Sequence, residues 1–316
     1  MEPTILFYHS SFWSESIFFS ILIFCISLIY DEKISFSKNF ILGLLLGLLF
    51  LQRSVALYYI FFVSIYYIFL YKKKSPKPIL ITFIGYMIIV SFLGFHNFKR
   101  SGTFYIEPTQ AKDGFYNYLV KNVLSKNQNI EIKAVQIILD KESKIWIKKN
   151  KINMNLESGR IKHYNYLKKK SYQIILNNPF VSATYILKGT LHFVVLDPLR
   201  HVHYFYKFTL REQNSFYKSD LSDKWIPIRV IYSFLIYSIV FLALYDSSKH
   251  RFGNKFDIFL LISIFYFTVI SSWTGNTRYN APNLIFFSFL FGNGIAILPF
   301  YLSKIKKKLL FLNKLR

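Results

Sequence analysis

Apolar runs long enough to cross a bilayer restrict this chain more than any other feature. "FDIFLLISIFYFTVISSW" and "LIFFSFLFGNGIAILPFYL" are two of them, parted by the short polar stretch "TGNTRYNAPN" at 274–283. A run of about 18 or more apolar residues crosses the hydrocarbon layer as a helix, since no water is there to satisfy an open backbone. Of 316 residues, 53% are hydrophobic and 20% aromatic, which a soluble domain of this size rarely matches. The expected class is an all-α, polytopic membrane protein.

Seven spans are expected, at 11–30, 37–51, 54–71, 77–95, 226–245, 257–273 and 280–302. The second and third meet at "LQRS", 51–54, as a tight hairpin or as one broken helix. Short basic loops set orientation by lying in the cytoplasm. "YKKKSPK", "SSKHRFGNK" and the tail "SKIKKKLLFLNKLR" are such segments, and seven spans place all three on that side. The same parity puts the N-terminus, "LQRS", residues 96–225 and "TGNTRYN" outside. The expected organisation is therefore N-terminal membrane helices over 1–95, an extracytoplasmic helical loop domain over 96–225, and C-terminal membrane helices with a basic tail over 226–316.

Within the loop, "IEIKAVQIILDKESKIWIKK" and "ESGRIKHYNYLKKKSYQIIL" have helical spacing of their apolar positions. "NNPFVSATYILKGTLHFVVLDP" starts as a helix at Asn-Pro and stops at Asp197-Pro198. Lys188 and His192 make it too polar for a span, so it is expected to lie in the outer interface. Gly43 and Gly47 in "GLLLG" allow close helix approach.

A net charge of +24 would point a soluble chain toward nucleic acid. Here the lysines flank membrane spans, the abundance of Phe, Ile, Asn, Tyr and Lys matches A/T-rich codons, and no nucleic-acid partner is expected. Basic loops suit anionic lipid or phosphate. One cysteine, Cys25, leaves neither an intrachain disulfide nor a thiolate metal site. Neither a metal nor a cofactor is expected. "MEPTILFYHS" carries no basic region of a cleavable signal.

Most aromatic residues at span ends, Trp13, Trp225 and Trp273 among them, are interface anchors. Glu15, Arg53, His96 with Asn97, and Arg278 with Tyr279 ask for more. They come from four separate places, and parity puts them all at the outer level. One reading is a structural ion-pair cluster. The other is an outward site for an anionic lipid headgroup. Arginine suits that role because its planar fork meets phosphate oxygens in pairs and keeps its charge in a poorly hydrated place.

These residues carry a resemblance. "WSESIFFSILIF", "LLLGLLFLQRSVALYYIFF", "GFHNFKRSGTFYIEPTQAKDGFYNY", "LKKKSYQIILNNPFVSATYILKGTLHFVVLDP" and "TGNTRYNAPNLIFFSFL" stand in the order of similar segments of membrane-embedded glycosyltransferases of the GT-C fold class. The chain looks most like bacterial relatives of protein mannosyltransferases and the lipid A aminoarabinose transferase. Arg53 matches the arginine of their Leu-Thr-Arg-Pro segment. Arg278, Tyr279 and Pro282 match a Gly-x-x-Arg-Tyr-x-x-Pro turn. The resemblance implies transfer of a sugar from a polyprenyl-phosphate carrier to an envelope glycan, lipid or protein acceptor, at the outer face of the inner membrane. It implies that Arg53 and Arg278 bind the carrier phosphate and stabilise it as it leaves. Glu15, His96, Asn97 and Tyr279 would shape the site.

The chain departs from that pattern in three places. His96 stands where the family has arginine, and Ser54 where it has proline. The family's catalytic carboxylate lies in a first outer loop after an initial helix, and no such loop is found here, so an upstream part is expected to be missing. Glu107, Asp113 and Asp197 are outer-loop carboxylates that no motif assigns, and the catalytic residue stays unknown. The alternatives are an inactive remnant or a non-enzymatic membrane protein that binds lipid-linked sugar. A flippase or polymerase is the third, and the apolar middles of the spans count against a transporter.

Overall fold

The computed structural model describes residues 14–106, 114–195, 226–249, 255–272 and 281–314. Among these the regular structure is helical throughout, without a strand. Seven helices coincide with the seven apolar runs: α1 (Ser14–Tyr30), α2 (Phe36–Gln52), α3 (Tyr59–Tyr71), α4 (Pro76–Ser101), and, after an intervening module, helices over Ile226–Lys249, Lys255–Ser272 and Ala281–Lys314. The module holds a π-helical stretch at Gly114–Val120, then α5 (Lys121–Gln128), α6 (Ile132–Lys149), α7 (Glu157–Asn177) and α8 (Pro179–Val195). The last three apolar helices are therefore α9, α10 and α11.

Four stretches are long and apolar enough to cross a membrane: Ser54–Lys74 around α3, Pro76–Ser101, Lys255–Ser272, and Pro282–Lys306 within α11. They mark a membrane protein. α1 and α2 are apolar but have 17 residues each, about 25 Å of helix against a hydrocarbon layer of about 30 Å. The bundle's outer faces present Phe92, Phe95, Phe234 and Phe241, each more than 60% exposed. Such a surface suits hydrocarbon and not water.

Side-chain pairs fix the direction of each helix. Phe18 meets Phe267 and Tyr30 meets Phe256, so α1 and α10 are antiparallel. The Tyr59 hydroxyl lies 2.7 Å from Ser263 Oγ and Tyr66 packs on Phe259, so α3 is antiparallel to α10 too. Tyr67 donates to Asn39 Oδ1 at 2.9 Å and Tyr71 to the Glu32 carbonyl at 3.0 Å, which closes α2 and α3 into a hairpin at "LQRS". Asn283 donates to Thr268 and Asn293 to Asp257, setting α11 against α10. Tyr237 packs on Phe287 and Tyr301 donates to Asp246, so α9 runs parallel to α11. One end of the bundle thus gathers the starts of α1, α3, α9 and α11 and the ends of α2, α4 and α10.

Glycines set a close crossing of α2 and α4. A Cβ on Gly43 would lie 2.1 Å from the Thr82 carbonyl oxygen, one on Gly85 2.5 Å from that of Phe40, and one on Gly47 2.6 Å from Ile89 Cβ. Backbone-to-backbone contact of this kind holds helices together where burial from water gives no drive between them. It also makes α2 and α4 parallel, since Gly43 faces Gly85 and Gly47 faces Ile89. A second close approach joins the module to the bundle: Gly189 of α8 sits against Ser272 at the end of α10.

The core is in two parts. The larger lies among the apolar helices and includes Phe18, Leu22, Tyr59, Tyr66, Tyr266, Phe267 and Phe286. The smaller belongs to the module: Tyr116, Val120, Val135, Leu139 and Leu167. Around it Trp146 stacks on Tyr166 with ring centres 4.3 Å apart, and Lys170 pairs with Glu142.

Two helices outrun their apolar spans. α4 continues past residue 95 to Ser101, where Gly102 ends it with φ +70° and an N–H bonded to the Phe98 carbonyl. The boundary placed at 95/96 therefore falls inside a helix. α11 continues through "SKIKKKLLFLNK" to Lys314. Lysines end a bilayer span, but they are good helix formers and do not end a helix.

Candidate functional site

The end that gathers α2, α4 and α10 is also the end on which the module sits. α2 stops because Arg53 turns to extended backbone, φ −149° and ψ 124°, while its N–H still reaches the Leu49 carbonyl at 3.0 Å. A 3₁₀ turn over Ser54–Ala56 follows. Two tyrosines pin it. Tyr266 of α10 donates to the Val55 carbonyl at 2.5 Å and accepts from the Tyr58 N–H at 3.2 Å. Tyr86 of α4 donates to the Leu57 carbonyl at 2.7 Å. Half-buried Arg53 is thus presented from a turn braced by two neighbouring helices.

The α2–α4 register continues to the same level. With Gly43 on Gly85 and Gly47 on Ile89, the end of α2 runs toward the last turns of α4, where His96 and Asn97 lie. His96 and Asn97 then part company. His96 is exposed, whereas Asn97 is buried and donates to the Tyr105 carbonyl at 2.8 Å. That bond, with Phe104 laid over Gly94, folds the chain back after Gly102.

The return brings Tyr105 to a cluster that spacing along the chain did not reveal. Glu157, at the start of α7, accepts from the Tyr105 hydroxyl at 2.7 Å through Oε1. Through Oε2 it accepts from Arg100 Nη2 at 3.0 Å and Arg160 Nη2 at 2.9 Å. The carboxylate is 14% exposed, against 56% for Arg100 and 39% for Arg160. The Tyr105 hydrogen bond and then the two guanidiniums hold the Glu157 carboxyl below its usual range. Burial, and next the bond to Glu157, pushes Tyr105 up to about 12. Only the Glu157–Arg160 spacing, three residues on one helix, was visible in the sequence. Nothing in linear order pairs either with Arg100.

Chemically, two guanidiniums on one carboxylate leave net positive charge. Glu157 itself is committed as an acceptor and makes a poor proton shuttle. The carboxylates Asp31, Glu32, Asp246 and Asp257 all sit at the opposite end of the bundle. Glu15 lies in the first turn of α1, at the same end as Arg53. Arg278 and Tyr279 lie outside the described residues, as do Glu107, Asp113, Asp197 and the three tryptophans Trp13, Trp225 and Trp273. The last described residue before Arg278 is Ser272, which ends α10 at this end. No group of three His, Cys, Asp or Glu converges for a metal ion among the described residues.

No family model matches the chain, and no curated protein or solved structure matches it.

Proposed function

We propose that the chain is a seven-span protein of the bacterial inner membrane that handles a polyprenyl-phosphate-linked sugar at its extracytoplasmic end. In this reading it moves the sugar to an envelope acceptor, as the GT-C-like order of its segments suggests. Arg53 and Arg278 hold the lipid phosphate. Glu15 and Asn97 orient the site, and the helical module shapes the acceptor side. The observation that carries the reading is the common end: Arg53, the start of α1 with Glu15, the end of α4 with Asn97, and Ser272 all belong to it, although they are far apart in sequence. Guanidiniums suit a phosphate there because they are weakly hydrated themselves and keep their charge. The basic turn Lys72–Lys74 and Lys255 lie at the other end, as cytoplasmic segments should.

A second reading, binding of the lipid-linked sugar without transfer, draws on one observation. Glu157, the described module carboxylate at this end's junction, is engaged by three donors and is not placed to act as a base.

The experiment is polyprenyl-phosphate binding by purified protein in nanodiscs. Arg53→Ala and Arg278→Ala are each expected to weaken binding by roughly tenfold or more, the loss of a charge-assisted hydrogen bond of about 1.5–3 kcal/mol. Unchanged binding in both variants ends the phosphate reading. Glu15→Gln separates the two functions: transfer lost with binding kept favours catalysis at this end.

A further inference from the structure

We infer that the outward face of α6 docks on anionic lipid headgroups of the bilayer. Its inward face is spoken for. Val135 and Leu139 are 1% exposed, Trp146 stacks on Tyr166, Ser143 lies 2.7 Å from His163 Nε2, and Glu142 pairs with Lys170 of α7. The opposite face has a different make-up. Ile137, Ile138 and Ile145 are 56%, 50% and 64% exposed. Lys133, Lys141, Lys144 and Lys148 are exposed with them. At about 100° per residue these seven fall in one arc of the helix. The acids of α6 lie off that arc: Asp140 accepts from Gln136 at its edge, and Glu142 faces α7.

Isoleucines flanked by lysines, with no acid among them, form the pattern by which a helix lies in a membrane surface. The apolar side chains enter the acyl boundary and the ammonium groups meet phosphates. Water would leave the isoleucines unburied, and an uncharged surface would leave the lysines uncompensated. Position brings the helix within reach of lipid. The module is joined in the chain to α4 and α9, and Glu157, which follows α6 after one short loop, is bonded to Arg100 in the last turn of α4. The Ile145–Lys149 end of α6 is therefore tethered where α4 ends. This docking does not depend on sugar transfer.

A nitroxide at Ile137→Cys or Ile145→Cys reads the depth of the face, with Cys25 fully buried and out of a label's reach. The full chain is placed in nanodiscs of phosphatidylcholine alone or with phosphatidylglycerol, and collision with oxygen is compared with collision with a water-soluble nickel chelate. In the anionic discs both labels are expected to lose several-fold in nickel accessibility. A variant with Lys133, Lys141, Lys144 and Lys148 all changed to Gln is expected to return the two labels to water. The inference is overturned if labels 137 and 145 stay water-accessible in both discs. It is equally overturned if they are shielded to the same degree without phosphatidylglycerol or without the lysines, which would mean an uncharged or protein occupant.

Discussion

Glu157 takes donors from three residues, two of which reach it from α4 and the segment after it, so one carboxylate joins the module to a membrane helix. Its pKa is lowered in the folded protein. The contribution is therefore full above the ordinary value of 4.5 and is lost as pH falls through the folded value. Tyr105 has the opposite sign: its contribution is full below pH 10 and is lost as pH climbs toward about 12. Trp146 fluorescence, read in a chain whose other three tryptophans are phenylalanine, is expected to report loosening of the module at both limits. Glu157→Gln should remove the acid limb; an unchanged acid midpoint would place the titration elsewhere. Glu157→Ala is expected to cost about 1–3 kcal/mol of local stability by hydrogen exchange. Arg100→Ala, with a side chain 56% exposed, should cost no more than about 1 kcal/mol.

At the scale of elements, the α2–α4 crossing is a contact that a single methyl group would disturb. Gly43→Val is expected to push the helices apart, since even one Cβ would sit 2.1 Å from a backbone oxygen. Overpacking costs about 1–3 kcal/mol and more when backbone must move. The check is the thermal midpoint in detergent. Gly292→Ala, where a Cβ would meet nothing within 4 Å, serves as the control. A Gly43→Val midpoint equal to that of Gly292→Ala would mean that the crossing is looser than described. Both elements of this contact were legible early: "GLLLG" announced close packing, and the apolar period announced the helix. Its partner Gly85 was not, because a lone glycine in an apolar run has no signature until the fold brings it opposite another. The same limit hid the Arg100–Glu157 junction. It also explains why α4 and α11 were read short: hydropathy marks where lipid ends, whereas a helix ends at a residue such as Gly102.

For the molecule as a whole, the seven apolar helices alternate in direction, with the Lys72–Lys74 turn and Lys255 at the end opposite Arg53. Alternation decides which residues share an end, and Glu15, Arg53 and Asn97 share one, while the fate of each side chain was not legible in the sequence. Asn97 turns inward to hold a backbone carbonyl, and His96 beside it turns out. The account stands on one sidedness: the Arg53 turn and the module share one side of the membrane, and the Lys72–Lys74 turn lies on the other. Impermeant maleimide labelling of single cysteines in intact cells measures this directly. Ser54→Cys and Lys162→Cys are expected to label without permeabilisation, and Lys73→Cys only after it. Labelling of Lys73→Cys in intact cells, or protection of Ser54→Cys there while Lys162→Cys reacts, would contradict the account.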